Sequence, residues 1–187
     1  MPASKREQLV ETAAALFYEN GFTATGIDRV LKEAGVAKMT LYNHFKSKDE
    51  LIIAALHRRD EKFRHWLTTT LDKRASTPRE KLVAFFDVYG EWFAQKDFRG
   101  CMFINASAEF AQHSRSIQSA AAEHKRLVVN YLLDLANEAG LSNPEELAAQ
   151  LAMIADGAVV QAQVLAREDA AAVARDMATF LIAKASA

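Results

Sequence analysis

The chain has 187 residues and a formal net charge of −1; half its residues are hydrophobic and a quarter are charged. That is ample apolar material for one large or two small domains, and one cysteine excludes an intramolecular disulfide. With seven glycines, three prolines, frequent Ala and Leu and no alternating β-branched run, the composition predicts an all-α fold. The polar start, MPASKREQ, lacks the apolar core of a secretory signal. No apolar run approaches the ~18–20 residues of a membrane span. These features predict a soluble cytoplasmic protein without a membrane partner.

Ser4, with Glu7 three residues on, makes a capping box for a first helix. Its Leu9, Val10, Ala13, Leu16 and Phe17 recur at helical spacing. Asn20-Gly21 stops it, and Phe22 is expected to tuck back under the small domain. Thr25 and Asp28 read as a second capping box, opening a short helix with Ile27, Val30 and Leu31 inward. Ala34-Gly35 ends that helix, Val36 plugs the turn, and Ala37 or Lys38 opens the third. Leu41 and Phe45, four apart, anchor the third helix to the core. Lys38, Met39, Thr40, Tyr42, Asn43 and His44 are left on or beside its other faces. Ser47 and Glu50 form a third capping box before a long fourth helix, from 48 to about 71.

Beyond Ser76-Thr77-Pro78 the pattern changes from a compact trihelical unit to longer helices. Pro78 suits the first position of a fifth helix, which runs to about 95 with Leu82, Phe85, Phe86, Tyr89 and Phe93 on one broad face. Further helices are expected at about 101–111, 114–139, 145–167 and 169–184, making about nine. The expected division is 1–50 and 51–187, fused through the fourth helix rather than tethered. The last two helices are apolar over more than one face, with Leu147, Leu151, Ile154, Ala158, Ala162 and Leu165 in one and Met177, Phe180 and Leu181 in the other. Either both faces pack within one subunit, or two such hairpins form a four-helix interface between identical subunits; a homodimer is the expectation.

Two short helices joined by a glycine turn, the second presenting polar groups, form a helix-turn-helix: one helix crosses the DNA backbone and the next enters the major groove. The charge, divided along the chain, agrees mildly. Residues 1–65 hold 11 Lys and Arg against 9 Asp and Glu, and the rest hold 12 against 15. A DNA contact needs a local basic patch, not a basic protein.

Residues 5–55 resemble the N-terminal DNA-binding domain of the TetR family of transcriptional regulators. The resemblance is carried by Phe17, Gly21-Phe22, Thr25, Ile27, Ala34-Gly35-Val36, Thr40-Leu41-Tyr42, His44-Phe45 and Lys48-Asp49-Glu50-Leu51. The remainder shows only the family's general plan. The resemblance implies an N-terminal three-helix DNA-binding domain joined to a larger helical ligand-binding and dimerisation domain. It also implies a homodimer on a double-stranded operator, its recognition helices about 34–36 Å apart along the duplex. A small-molecule effector in the larger domain would shift the fourth helix and release the DNA, so repression is the expected sign. Met39 departs from the pattern, since many relatives carry a small residue such as Gly there. Its thioether either rests against a thymine methyl or fills space.

Tyr42 and His44 are the phosphate candidates by chemistry and family position, with Lys48 adding charge at the start of the fourth helix. Thr25 and Thr40 can join them, although Thr25 reads equally as a helix cap. Lys38, which can donate to guanine, and Asn43, which can pair with adenine, are candidates for base reading or for phosphate. For the effector, Phe86, Tyr89, Phe93, Phe103, Asn105, His124 and Tyr131 could line a pocket for an apolar or aromatic molecule, or be plain core. Cys101 follows Arg99-Gly100 at a helix start, where a cation and the helix dipole favour the thiolate. The Gly-Cys pair resembles electrophile-sensing members of the family; the alternative is a small buried hydrophobe.

No paired-cysteine or His-Glu-x-x-His spacing suggests a metal, and no Walker A loop, Gly-x-Ser-x-Gly elbow or dinucleotide fingerprint suggests an enzyme or a cofactor. Two rival readings stay open: an activator or thiol-triggered regulator, and a helical small-molecule-binding protein with a vestigial helix-turn-helix.

Overall fold

The structure is a computed structural model that describes residues 4–111 and 114–186, and those residues form nine helices and no strand. Helix α1 (Lys5–Asn20) starts at the predicted box: the Ser4 hydroxyl accepts the Glu7 N–H at 3.2 Å, and the Glu7 carboxylate accepts the Ser4 N–H at 2.7 Å. It ends where Gly21 takes φ +85°. Helix α2 (Ile27–Ala34) corrects the second box. Its N-cap is Gly26, without a side-chain cap, because the Thr25 hydroxyl turns inward. Gly35 is left-handed at φ +60°, and the Val36 N–H donates back to the Leu31 carbonyl at 3.1 Å, closing a Schellman turn. Helix α3 (Lys38–His44) follows within three residues.

Helix α4 (Lys48–Arg74) starts from a box shifted by one residue: the Glu50 N–H donates to Ser47 Oγ, but the Glu50 carboxylate takes the N–H of Lys46. It outlasts its expected end, with Lys73 and Arg74 in the last turn, where cations suit the helix dipole. Helix α5 (Pro78–Phe93) has a full capping box between Thr77 and Glu80. The others are α6 (Met102–Glu109), α7 (Arg115–Glu138), α8 (Pro144–Leu165) and α9 (Ala170–Lys184).

The chain packs as two compact units whose borders differ from the expected division at residue 50. One comprises Met1–Lys62 with Met102–His124, the other Phe63–Cys101 with Lys125–Ala187. Helices α4 and α7 each contribute a segment to both.

In the first unit, Leu9, Ala13 and Phe17 of α1 are buried, as are Val30, Leu41, Leu51 and Ile52. Phe22 folds back to stack on Phe17 at 5.3 Å. Each such large side chain contributes about 1.5–3 kcal/mol by leaving water. The anchors of α3 are buried as expected, Leu41 fully and Phe45 nearly so.

In the second unit, α9 lies on α5 and α8 through a stripe of small residues, Ala170, Ala174 and Ala178, with Ile182. Gly90 of α5 permits the close approach, since a Cβ there would stand 3.1 Å from that of Ala171. Arg175 and Asp87 pair alongside at 3.1 Å. The opposite face of α8 and α9 remains uncovered: Met153, Val164, Leu165, Met177 and Phe180 are exposed, Phe180 to 70%.

By length and composition α8, with 22 residues and a mean hydropathy of 1.3 over its most apolar window, could cross a membrane. That match is one of length and composition alone, which the core helix of a soluble protein meets equally. The alanines of α8 raise the mean, although Gln150, Asp156, Gln161 and Gln163 interrupt the run.

Candidate nucleic-acid interface

The first three helices pack against one another, and that packing decides what α3 presents. With Leu41 and Phe45 turned into the core, Lys38, Met39, Tyr42, Asn43 and His44 stand exposed, while Thr40 is half-buried. Met39, at 74% exposure, fills no interior space. Lys38 Nζ lies 3.8 Å from Asp28 of α2, a pair so exposed that it holds the lysine only loosely. Lys48 is half-buried at the start of α4, its ammonium 3.4 Å from the Thr23 carbonyl. Burial pulls the Lys48 amine below its ordinary range, against the opposing charges of Glu109 and Asp49.

Thr25 is placed differently from the other candidates. Its side chain is fully buried, and its hydroxyl donates to the carbonyls of Gly21 (2.7 Å) and Leu16 (3.4 Å). Its side chain therefore ties the α1–α2 loop to the end of α1, with no surface left for a phosphate. Three further residues support this region and escaped the sequence reading. The Gln8 amide donates to the Ala34 carbonyl at 2.8 Å, and the Arg6 guanidinium lies over the Phe45 ring at 5.3 Å. Glu109 accepts two amides of the α1–α2 loop. Only packing reveals these partners, because no local spacing joins residues 26 to 87 apart.

The residues expected to line a pocket divide between the units. Phe103, Asn105 and His124 belong to the first. There the His124 Nδ1–H donates to the Asp60 carboxylate of α4 at 2.7 Å, both groups buried. The ring also stacks on Phe103 at 3.7 Å. Phe86, Tyr89, Phe93 and Tyr131 belong to the second. Phe86 is fully buried against Phe85. Tyr89 joins Trp92, Phe93 and Phe63 in an aromatic cluster. Burial, then the charges of Asp72 and Glu138, pushes the Tyr131 hydroxyl up to about 12.

Cys101 is buried beside the Lys125 ammonium, which also pairs with Asp156. Burial lowers the Lys125 amine, but the neighbouring Cys101 and Asp156 outweigh it and leave the amine raised. Arg99, the cation expected from the sequence, donates to the carbonyls of Lys96 and Phe98. Burial, then Cys101 and Asp156, holds the Tyr89 hydroxyl well above its ordinary range. Among the described residues, the buried Trp92 indole N–H has no acceptor, and no cluster of three acidic, His or Cys side chains could hold a metal.

A trihelical unit with a Schellman turn and a polar, exposed third helix defines a DNA-binding helix-turn-helix protein. Comparison with known proteins agrees. Residues 9–55 match the family model of bacterial regulatory proteins of the tetR family, and residues 78–178 match a tetracyclin repressor-like C-terminal domain. The HTH-type transcriptional repressor NemR of Escherichia coli K12 is 32% identical over 139 residues, spanning 74% of this chain and 69% of NemR. The HTH-type transcriptional activator FasR of Mycolicibacterium smegmatis is 38% identical over 104 residues, spanning 54% of this chain and 45% of FasR. Among solved structures, a TetR-family regulator from Streptomyces coelicolor superposes with a TM-score of 0.87 at 27% identity, covering 98% of this chain and 96% of its own. The reduced form of E. coli NemR gives 0.83 at 26% identity, covering 95% and 97%. The chain belongs to the TetR family of transcriptional regulators.

Proposed function

We propose that this regulator is a homodimeric repressor, held on a double-stranded operator by paired α3 helices and released by a small apolar or aromatic effector. The observation that carries the reading is the division of α3 between buried anchors and an exposed polar face. On this reading Tyr42, His44, Thr40 and Lys48 meet phosphates, fixing register, while Lys38 and Asn43 read base edges and Met39 lies against a thymine methyl. Relatives named as repressors favour repression, though FasR is named an activator. A protein acting on DNA works where the DNA is, in the cytoplasm of a bacterial cell.

The dimer uses the uncovered apolar face of α8 and α9. A groove of about 360 Å³ between them, lined by Met153, Gly157, Val173 and Met177 among others, suits the side chains of a second copy. The effector reading rests on the second unit. Its rings pack on one another around a Trp92 N–H that has no acceptor, and a planar molecule bearing a carbonyl would match that chemistry.

The test is a salt-controlled titration against duplex from the gene's own upstream region, with unrelated duplex as competitor. Binding that survives competition, and is released by an aromatic carbonyl compound that quenches tryptophan fluorescence, supports the whole reading. Equal affinity for both duplexes places the operator elsewhere or ends the claim of specific binding.

A further inference from the structure

Glu109, the last residue of α6, lies far in sequence from the helix-turn-helix yet closes on it within the first unit. Its carboxylate accepts the N–H of Thr23 at 2.7 Å and of Phe22 at 3.0 Å, two loop amides between α1 and α2. The next residue, Phe110, meets the Phe22 ring edge-on at 6.0 Å. On the other side of the loop, the Thr23 carbonyl takes the Lys48 ammonium. Gly21 leaves room for the arrangement, since a Cβ there would approach Glu109 Oε1 to 3.2 Å. Burial raises the Glu109 carboxyl, but the amides and hydroxyl of the loop, together with Lys48, outweigh it and hold it below the ordinary range. The carboxylate is therefore charged at neutral pH, and its bonds are of the strong, charge-assisted kind.

We propose that Glu109 is a positioning residue for DNA binding: its carboxylate fixes the α1–α2 loop, and through it the entry of α2 and the orientation of α3. The argument is one of alternatives. Helix α2 has no side-chain cap, so the loop at 21–26 sets its direction. Thr25 holds that loop from inside through its hydroxyl. Glu109 supplies the side-chain acceptors for the amides at 22 and 23. It also opposes Lys48 electrostatically, so the same carboxylate holds a phosphate-binding candidate beside the loop. A charge placed only to tune Lys48 would act alike on every DNA sequence, whereas a loop clasp acts on the fit of α3 to its own site.

The experiment compares wild type with Glu109→Gln on two duplexes at fixed salt: one that the wild-type protein selects from a random pool, and one unrelated. The expected result is a loss of about tenfold or more on the selected duplex, the size of one charge-assisted hydrogen bond. The unrelated duplex should be bound unchanged or slightly more tightly, because a negative charge has gone. Amide hydrogen exchange at Phe22 and Thr23 should quicken by about tenfold while α5 and α9 are unaffected. Equal tightening on both duplexes would reduce Glu109 to a local charge and overturn the proposal. So would unchanged affinity, or loss of exchange protection throughout α1 to α4. If Glu109→Gln does not melt cooperatively, Glu109→Asp repeats the comparison with the charge kept and the reach shortened. A selective loss on the selected duplex again supports the clasp, and wild-type affinity on both overturns it.

Discussion

Each compact unit has an apolar core and some polar pairs, but the contacts behind their exposed surfaces differ. The first is pinned by directional polar contacts: Gln8 on Ala34, Thr25 on Gly21, Glu109 on the loop amides, and the buried Asp60–His124 pair. The second is packed by small apolar residues, with Ala170, Ala174 and Ala178 in one stripe and Gly90 opposite Ala171. The surfaces they leave differ accordingly. The first exposes Lys38, Tyr42, Asn43 and His44, and the second exposes Met153, Val164, Met177 and Phe180. A surface that reads hydrogen-bonding edges must hold its groups in fixed directions, and directional bonds do that. A surface that meets its own copy needs area and shape, which non-directional burial provides.

The sharpest way to break this contrast is His124→Ala. It removes the buried 2.7 Å hydrogen bond to the Asp60 carboxylate, a loss of about 1.5–3 kcal/mol for a bond to a charged group. Denaturant unfolding should show a loss of that size, with protection in α5, α8 and α9 largely kept. Equal loss of protection in both units would mean they do not fold separately.

Phe180→Glu addresses the other surface. It puts a charge where the second unit is most apolar, and should weaken self-association by about a hundredfold, or 2.7 kcal/mol, in sedimentation equilibrium. The melting of the isolated subunit should hardly change, because Phe180 is already 70% exposed. An unchanged dimer would move the interface off α8 and α9.

Smaller effects separate roles within α3. Asn43→Ala should relax preference at one base position by about 1–3 kcal/mol if the contact is bidentate. Tyr42→Phe should weaken all sequences alike by about 1 kcal/mol. Uniform weakening by Asn43→Ala, measured on a panel of single-base variants, would move that residue to the backbone. Gly35→Ala should cost about 1–2 kcal/mol in stability, because φ is +60° there although the space is open.

The Glu109 clasp adds a pH signature. A carboxyl whose folded value lies below its unfolded 4.5 adds stability in full above about 4.5, and loses it as pH falls through the folded value. The difference in melting temperature between wild type and Glu109→Gln should therefore hold steady near neutrality and close in acid.

Local geometry made much of this protein legible from its residues. The Ser4–Glu7 box, the Gly35 turn with its Val36 plug, and the burial of Leu41 and Phe45 follow from spacings of one to four residues, which a helix turns into neighbours. Helix number follows from the same regularities, and the family was legible from the motif residues within 5–55. The inward turn of Thr25, the Arg6 and Gln8 contacts, the engagement of His124 by Asp60 and Phe103, and the Glu109 clasp were decided only by the tertiary structure. So were the unit borders and the identity of Lys125 as the cation beside Cys101. The reason is the same throughout. A helix fixes which residues share a face, but a partner 64 or 87 positions away is chosen by how whole helices pack.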